Sequence, residues 1–429
     1  MTKTKYLIIG NSVAAVAAVS GIRQVDADGD ITLISRETQH TYSRPLITYL
    51  LGGKVGEEQM AYRPADWYEK SGVNTMLGTE VTHVDPEAHT VDTAGGQTIG
   101  YEKLLIAVGG TPIVPRDVQG ADAEGVFTFT TMDDADAIAN YIEEREVRSA
   151  IVVGGGLIGL KSVEALIELG ISTTVVELAD RMLSATFDET ASTLAQRRLA
   201  RAGVEVRTST TVAELLSENG RVVGAKLTDG ETLPCELLIF AIGVLPATGI
   251  VQGSGIDSDR GIIVDDGMRT SAEDVYAAGD VAQARALLCG TNRCIAIFPN
   301  AYRQGIVAGR NMAGAEAQWE GGLVMNSVTI VDLPTISVGV TEALGEGYEE
   351  LSQLNEVALS YRKLVLHEGR IVGAVFVGDI DRAGIITGLI RERIDVSEIR
   401  DVLMSDDFGL ISLPAAYRER VLSGTVNRR

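Results

Sequence analysis

The chain has 429 residues, 45% of them hydrophobic and 47 of them glycine, which suits two or three turn-rich α/β domains and excludes a disordered or fibrous protein. Lys and Arg number 37 against 59 Asp and Glu, a net charge of −22, which argues against nonspecific attraction to nucleic acid or to an anionic membrane surface. Three cysteines cannot build a disulfide framework or a multi-cysteine metal centre, and no metal site is expected; the lack of a leader-like start and of any long apolar run leads us to expect a cytoplasmic protein with no membrane span.

In chain order, a strand from Lys5 to Ile9 leads into Gly10-x-Ser12-x-x-Ala15 and a helix from Val13 to Gln24. A glycine-rich turn between a strand and a helix lets backbone N–H groups at the helix start hold a pyrophosphate. A second strand, Ile31 to Ile34, should end near an acid that takes ribose hydroxyls, and Glu37 is the candidate. Strands near Val81 and Val91, with a Gly95-Gly96 turn before Ile99, read as a small β-meander, and Tyr101 to Gly109 reads as a buried strand. At Ala150 the pattern restarts: strand, Gly154-x-Gly156-x-x-Gly159, helix, then a strand Thr173 to Val176 that ends in Glu177, 23 residues after Gly154. A carboxylate there accepts both adenosine ribose hydroxyls and repels a 2′-phosphate, which favours NADH over NADPH, although Arg181 nearby weakens that preference. Leu237 to Pro246 repeats the strand–Gly–Pro pattern of Leu104 to Pro112, so an internal duplication extends beyond the fingerprints. A strand then precedes Ala277-Ala-Gly279-Asp280, and a helix is expected from Asn300 to Met312. Asn326 to Pro334 and Leu364 to Val377 read as strands. Two fingerprints imply two nucleotides.

With its two fingerprints, the Gly279-Asp280 signature, Tyr42-Ser-Arg44-Pro45-Leu and Phe298-Pro-Asn-Ala-Tyr-Arg-Gln-Gly305, the chain resembles the FAD- and NAD(P)H-dependent pyridine nucleotide–disulfide oxidoreductases. Within them it is most similar to the branch of NADH:rubredoxin and NADH:ferredoxin reductases, NADH oxidases and the flavin domain of assimilatory nitrite reductases. The resemblance implies an α/β fold of two Rossmann-like nucleotide-binding domains plus a C-terminal α+β interface domain. The FAD domain would be residues 1–115 and 246–318, the NAD domain 116–245 and the interface domain 319–429. It further implies that Gly10, Ser12 and Ala15 surround the FAD pyrophosphate, Arg44 meets phosphate, Pro45 faces the isoalloxazine, Val81 and Ala107 line the adenine side, and Asp280 after Gly279 holds the ribityl chain. Gly109, Phe298, Ile158 and Gly243 complete the cofactor-binding set. Ser12 replaces the usual second glycine, and Thr130 stands where relatives carry an arginine.

The disulfide members of the family carry a Cys-x-x-x-x-Cys after the Pro45 region; here Leu46 to Leu51 holds no thiol, which excludes a dithiol relay at that place. Cys289 and Cys294 flank Gly-Thr-Asn-Arg, which reads as a hairpin turn with the thiols facing across the strands, and Cys235 reads as a small core residue. Relatives place a glutamate at position 161 and its lysine partner at 49; here those positions are Lys161 and Tyr49. Lys161 either supplies positive charge beside the nicotinamide and flavin, as the catalytic candidate, or pairs on its own helix with Glu164 or Glu168. The functional expectation is hydride transfer from NADH to FAD, with electrons passing to a rubredoxin, a ferredoxin or a partner metalloenzyme, in a monomer or homodimer. Alternatives are an NADH oxidase using O₂ and an electron-transfer subunit of a larger complex. An acidic acceptor would need a basic patch, for which Arg382, Arg391, Arg393 and Arg400 are candidates, the alternative being a solvated helix face balanced by Glu392, Asp395 and Glu398.

Overall fold

The computed structural model describes residues 2–422. Its first unit grows from β1 (Thr2–Ile9), whose Tyr6 to Ile9 are buried on both faces, as strands inside a parallel sheet are. β1 lies between β2 (Ile31–Ser35) and β6 (Thr98–Ile106), with β3 (Val73–Leu77) beyond β2. These four run parallel. The antiparallel strands β5 (Thr90–Thr93) and β4 (Val81–Asp85) extend the sheet past β6. The last strand of the meander and the buried segment after Tyr101 are one strand, because β5 covers its first half and β18 (Val275–Ala277) its second.

The first fingerprint opens α1 (Val13–Arg23), which is buried almost all round. One side packs on the sheet; the other meets α7 (Phe298–Met312) at backbone distance. A Cβ added to Gly305 would lie 2.2 Å from the Ala14 carbonyl oxygen, and one on Gly309 2.1 Å from that of Ala18. Glycines are needed there because the two helices touch without side chains between them. α7 begins at Phe298 rather than Asn300, since proline is tolerated in a first turn.

The second unit is a parallel sheet, β11-β10-β9-β15-β8, built from β8 (Val126–Thr128), β9 (Ser149–Val153), β10 (Ser172–Val176), β11 (Glu205–Arg207) and β15 (Leu237–Phe240). An antiparallel sheet of β12 (Val212–Glu218), β13 (Arg221–Leu227) and β14 (Thr232–Pro234) lies against it. Where the chain passes between units, β7 (Gly110–Pro112) pairs with β16 (Val244–Pro246). The repeated strand–Gly–Pro pattern closes that strap reciprocally: Ala247 N–H donates to the Gly109 carbonyl and Ile113 N–H to the Gly243 carbonyl, both at 3.0 Å.

The remaining helices are α2 (Ile47–Leu51), α3 (Trp67–Lys70), α4 (Met132–Arg145), α5 (Leu157–Glu168), α6 (Glu189–Arg201), α8 (Ala383–Arg391) and α9 (Ala415–Leu422). The C-terminal sheet runs β21-β22-β25-β24-β23, all antiparallel, from β21 (Met325–Ile330), β22 (Leu333–Gly339), β23 (Tyr348–Asn355), β24 (Ser360–His367) and β25 (Arg370–Val377). Asn326 to Pro334 and Leu364 to Val377 are therefore not single strands. Each bends into a hairpin, the second through Glu368 and Gly369, both at positive φ. Alternation along β25 sends Ala374 and Phe376 toward α8, and Val375 and Val377 into the core of the second unit.

The thiols of Cys289 and Cys294 do not face each other across a hairpin. β17 (Ile262–Ile263), β19 (Ala282–Arg285) and β20 (Asn292–Arg293) form a small sheet in which Arg293 opposes Ala284, so the turn lies earlier and Cys289 sits in it, exposed, bonded to the Thr291 hydroxyl at 3.0 Å. Cys235 is buried beneath the second sheet, where desolvation pushes its thiol up to about 12. No helix among the described residues is long and apolar enough to cross a membrane.

Candidate functional site: two dinucleotide clamps

Both clamps rest on glycines whose backbone other residues rarely adopt and where a side chain would clash. Gly10, at φ +122°, would place a Cβ 2.2 Å from the Ala107 carbonyl oxygen; Gly154, at φ +109°, would place one 2.4 Å from that of Ala241. A Cβ on Gly159 would lie 1.9 Å from the Gly154 carbonyl, which brings α5 hard against its own fingerprint. Ser12 and Gly156 are the N-caps of α1 and α5, both extended, and neither helix has a side-chain cap. By contrast α4 and α6 are closed by Thr131 and Asp188. The uncapped N–H groups of α1 and α5 are the donors a pyrophosphate requires. Ala15 is buried in the first turn of α1, while Ser12 and Ile158 are half-buried.

In the first clamp, Glu37 does not stand free beside a ribose site. Its carboxylate takes Arg44 Nη2 on one oxygen and the Tyr42 hydroxyl, at 2.5 Å, on the other. Arg44 Nη1 donates to the Thr130 carbonyl at 2.9 Å, and the Met132 N–H donates to Tyr42. This network holds the Tyr42–Pro45 segment against the start of α4, with Pro45 exposed. Asn11 between Gly10 and Ser12 is fixed by Tyr68, whose hydroxyl donates to Asn11 Oδ1 at 2.6 Å, and by the Gln39 carbonyl. Neither Tyr68 nor Asn11 carries a sequence signal.

At the other end, Gly279 (φ +82°) receives the side chain of Gln304, its N–H donating to Oε1 at 2.8 Å. The adjoining Asp280 carboxylate makes no hydrogen bond with the described residues; burial pushes its carboxyl up, partly offset by Arg44. Gln39 Oε1, His40 Nε2 and Thr41 Oγ1, on three consecutive residues beside Asn11, are buried without partners. Orphaned polar atoms at a glycine cradle fit a bound dinucleotide. Val81 and Ala107 are buried in or beside the same sheet, and Phe298 packs edge-on against Tyr62 at 5.4 Å.

In the second clamp Glu177 is half-buried and accepts Gly155 N–H at 2.5 Å and Ala179 N–H at 2.7 Å. Lys161 points from α5 to α2 and to the β21–β22 turn. Its Nζ donates to Glu164 at 2.5 Å and to the Thr329 carbonyl at 3.2 Å, and lies 5.8 Å from the Tyr49 ring centroid. Glu168 pairs instead with Lys54 at 2.8 Å. Positions 161 and 49 still meet, as a cation over a ring.

Three of the arginines that are candidates for a basic patch are engaged with partners of the chain itself. Arg400 pairs with Glu349 and Asp401, Arg393 donates to the Leu287 carbonyl, and Arg382 donates to the Ser405 carbonyl.

The family model for pyridine nucleotide-disulphide oxidoreductases matches residues 4–305, the span that contains both clamps and Asp280. The chain belongs to that family. Its C-terminal residues 325–394 match the rubredoxin NAD+ reductase C-terminal domain. The chain is similar to the epsilon subunit of an NADH-dependent phenylglyoxylate dehydrogenase from Aromatoleum evansii, 33% identical over 98% of each chain. It is also similar to a nitrite reductase (NAD(P)H) from Bacillus subtilis, 30% identical over 93% of this chain but only 48% of that protein, so it spans about half the length of this relative. Among solved structures, NADH:rubredoxin oxidoreductase from Clostridium acetobutylicum superimposes with TM-score 0.75 at 26% identity, over 91% of this chain and 96% of that one. As a member of the family, the protein is an FAD-dependent NAD(P)H oxidoreductase.

Proposed function

We propose that this protein takes reducing equivalents from NADH and passes them to an iron–sulfur protein or partner metalloenzyme. Residues 1–115 and 246–318 would hold FAD, 116–245 NADH, and the C-terminal domain would complete the acceptor side. Gly10, Ser12, Ala15 and the α1 N–H groups are our choice for the FAD pyrophosphate, with Asp280 on the ribityl chain; Gly154, Gly156 and Gly159 hold the NADH pyrophosphate and Glu177 its adenosine ribose. Bound FAD supplies the step from two-electron to one-electron chemistry. The protein supplies orientation and charge: the first turn of α7 lies against Gly279, beside Asp280, and Lys161, paired with Glu164, stands where α5 meets α2.

The observation that carries this reading is α2. Its residues are Ile-Thr-Tyr-Leu-Leu, and the three cysteines lie elsewhere, on the floor of the second unit and in the β19–β20 hairpin. With no thiol in α2, electrons have no dithiol there through which to leave, and a direct transfer to an external centre remains. The test is the Cys289→Ser/Cys294→Ser double variant, which should reduce ferricyanide with NADH at nearly the unaltered rate; loss of acceptor reduction with fast flavin reduction intact would make the cysteines a second redox centre.

The full-length similarity to a chain named as a dehydrogenase subunit supports a second reading, that of an electron-transfer subunit within a larger assembly. Co-purification with other subunits, and turnover only with artificial acceptors when isolated, would favour it.

A further inference from the structure

The loop after β10 is bound on one side to the second fingerprint. Leu183 N–H donates to the Gly155 carbonyl at 2.9 Å, and a Cβ on Gly155 would lie 2.4 Å from Met182 Sδ. Arg181 is therefore anchored beside the clamp, four residues after Glu177. Its guanidinium is engaged in another direction. Nη2 donates to Glu342 Oε1, beyond β22 in the C-terminal domain, at 2.9 Å; Nη1 reaches Asp180 at 3.2 Å; Nε is buried with no acceptor. The Asp180 side chain is 74% exposed, so that pair is screened and holds the arginine weakly. Glu342, 50% exposed and at the shorter distance of 2.9 Å, is the less screened of the two carboxylates and sets its direction.

The Glu342 loop is itself held to the same region. The neighbouring Ala343 N–H donates to Glu350 Oε1 at 2.7 Å, Glu350 pairs with Lys363 at 3.0 Å, and the buried Lys363 pairs with Asp188 at 3.0 Å. Asp188 caps α6 at the far end of the loop that carries Arg181. Loop 177–188 and the C-terminal sheet are thus clasped at both ends.

We propose that Glu342 is a nucleotide-specificity residue: by turning Arg181 toward the C-terminal domain, it denies the 2′-phosphate of NADPH the guanidinium anchored nearest to Glu177 along the loop. The proposal rests on the reading of Glu177 as the adenosine-ribose acceptor. A guanidinium fork matches a phosphate in two parallel hydrogen bonds, so a released Arg181 with an unsatisfied Nε would prefer a 2′-phosphate to the exposed Asp180. Glu177 and Glu342 then act in different ways. The first repels the phosphate directly, and the second withdraws its counter-charge.

The experiment is calorimetric titration of the flavin-loaded protein with 2′,5′-ADP and, in parallel, with 5′-AMP. Glu342→Ala should tighten 2′,5′-ADP roughly tenfold and leave 5′-AMP unchanged. Adding Arg181→Ala should remove the gain, and Glu342→Gln, which keeps the loop but not the charge, should move in the same direction. Binding of 2′,5′-ADP within about twofold of the unaltered protein in both Glu342 variants, or a gain that survives without Arg181, would overturn the proposal. Glu177→Ala separates the two levels. If it leaves the ratio of the two affinities unmoved, the ribose reading fails and the proposal with it; if it moves the ratio while the Glu342 variants do not, only the role of Glu342 falls.

Discussion

Gly10 meets Ala107 backbone to backbone, so that a methyl group on the glycine would sit 2.2 Å from the alanine carbonyl oxygen, and its φ of +122° is one that side-chain-bearing residues rarely adopt. The glycines of the two fingerprints therefore answer to different demands. Gly10, Gly154 and Gly159 are required by the fold, whereas Gly156 has φ −81° and nothing within 4 Å of a built Cβ.

From this contrast, Gly154→Ala should destabilise the protein by at least about 2 kcal/mol, through backbone strain and a contact that cannot relax. Gly156→Ala should leave the unfolding midpoint close to that of the unaltered protein and raise the KM for NADH, because its methyl group would stand where the pyrophosphate approaches. Urea unfolding and steady-state kinetics on the two variants check this.

Asp280→Ala should purify with little flavin, measured as flavin absorbance per chain. In the flavin-free protein the same carboxylate has the opposite effect on stability. Burial raises its pKa, so its stabilising contribution is present below the unfolded pKa of about 3.9 and is lost as pH rises through the raised value. Asp280→Asn should therefore raise the Tm of flavin-free protein near neutral pH, with the gain shrinking as pH falls through the raised value and gone once pH reaches the ordinary carboxylate range.

Lys363 is 4% exposed and shared by Asp188 and Glu350. Lys363→Ala leaves those carboxylates without their cation and should cost about 3–5 kcal/mol in urea unfolding, far more than removing an exposed pair such as Lys70 with Asp66.

Glu177→Ala should lower the ratio of kcat/KM for NADH over NADPH by roughly tenfold, about 1.4 kcal/mol, through lost ribose contacts and relieved repulsion of a 2′-phosphate. An unchanged ratio would remove Glu177 as the selector.

Local patterns carried much of this architecture. A glycine at a strand-to-helix turn and an acid at the end of β10 are short-range features, and the sequence shows them directly. What it hides depends on contacts between distant segments. Arg181 and Glu342 stand 161 residues apart, and the Tyr361 hydroxyl donates to Asp188 at 2.7 Å from 173 residues away, so nothing local connects them. Glu37 illustrates a subtler limit: its position suits a ribose ligand, yet Arg44 and Tyr42 fold back to claim its carboxylate. The β21–β22 hairpin escaped a sequence reading because Val331 turns the chain at φ +62°, a conformation β-branched residues seldom adopt. The Cys289–Cys294 spacing misleads for a related reason, since hairpin register is fixed by the strands and not by which residues flank a glycine.

Whether electrons from NADH leave this protein without passing through a thiol can be read from anaerobic and aerobic turnover of N-ethylmaleimide-treated holoenzyme with NADH, comparing ferricyanide, a small iron–sulfur protein, O₂ and glutathione disulfide. Ferricyanide and the iron–sulfur protein should be reduced faster than O₂ or the disulfide, and thiol blocking should leave those rates nearly unchanged. Faster turnover with O₂ or the disulfide, or loss of iron–sulfur reduction after thiol blocking while NADH still bleaches the flavin, would contradict a thiol-free exit.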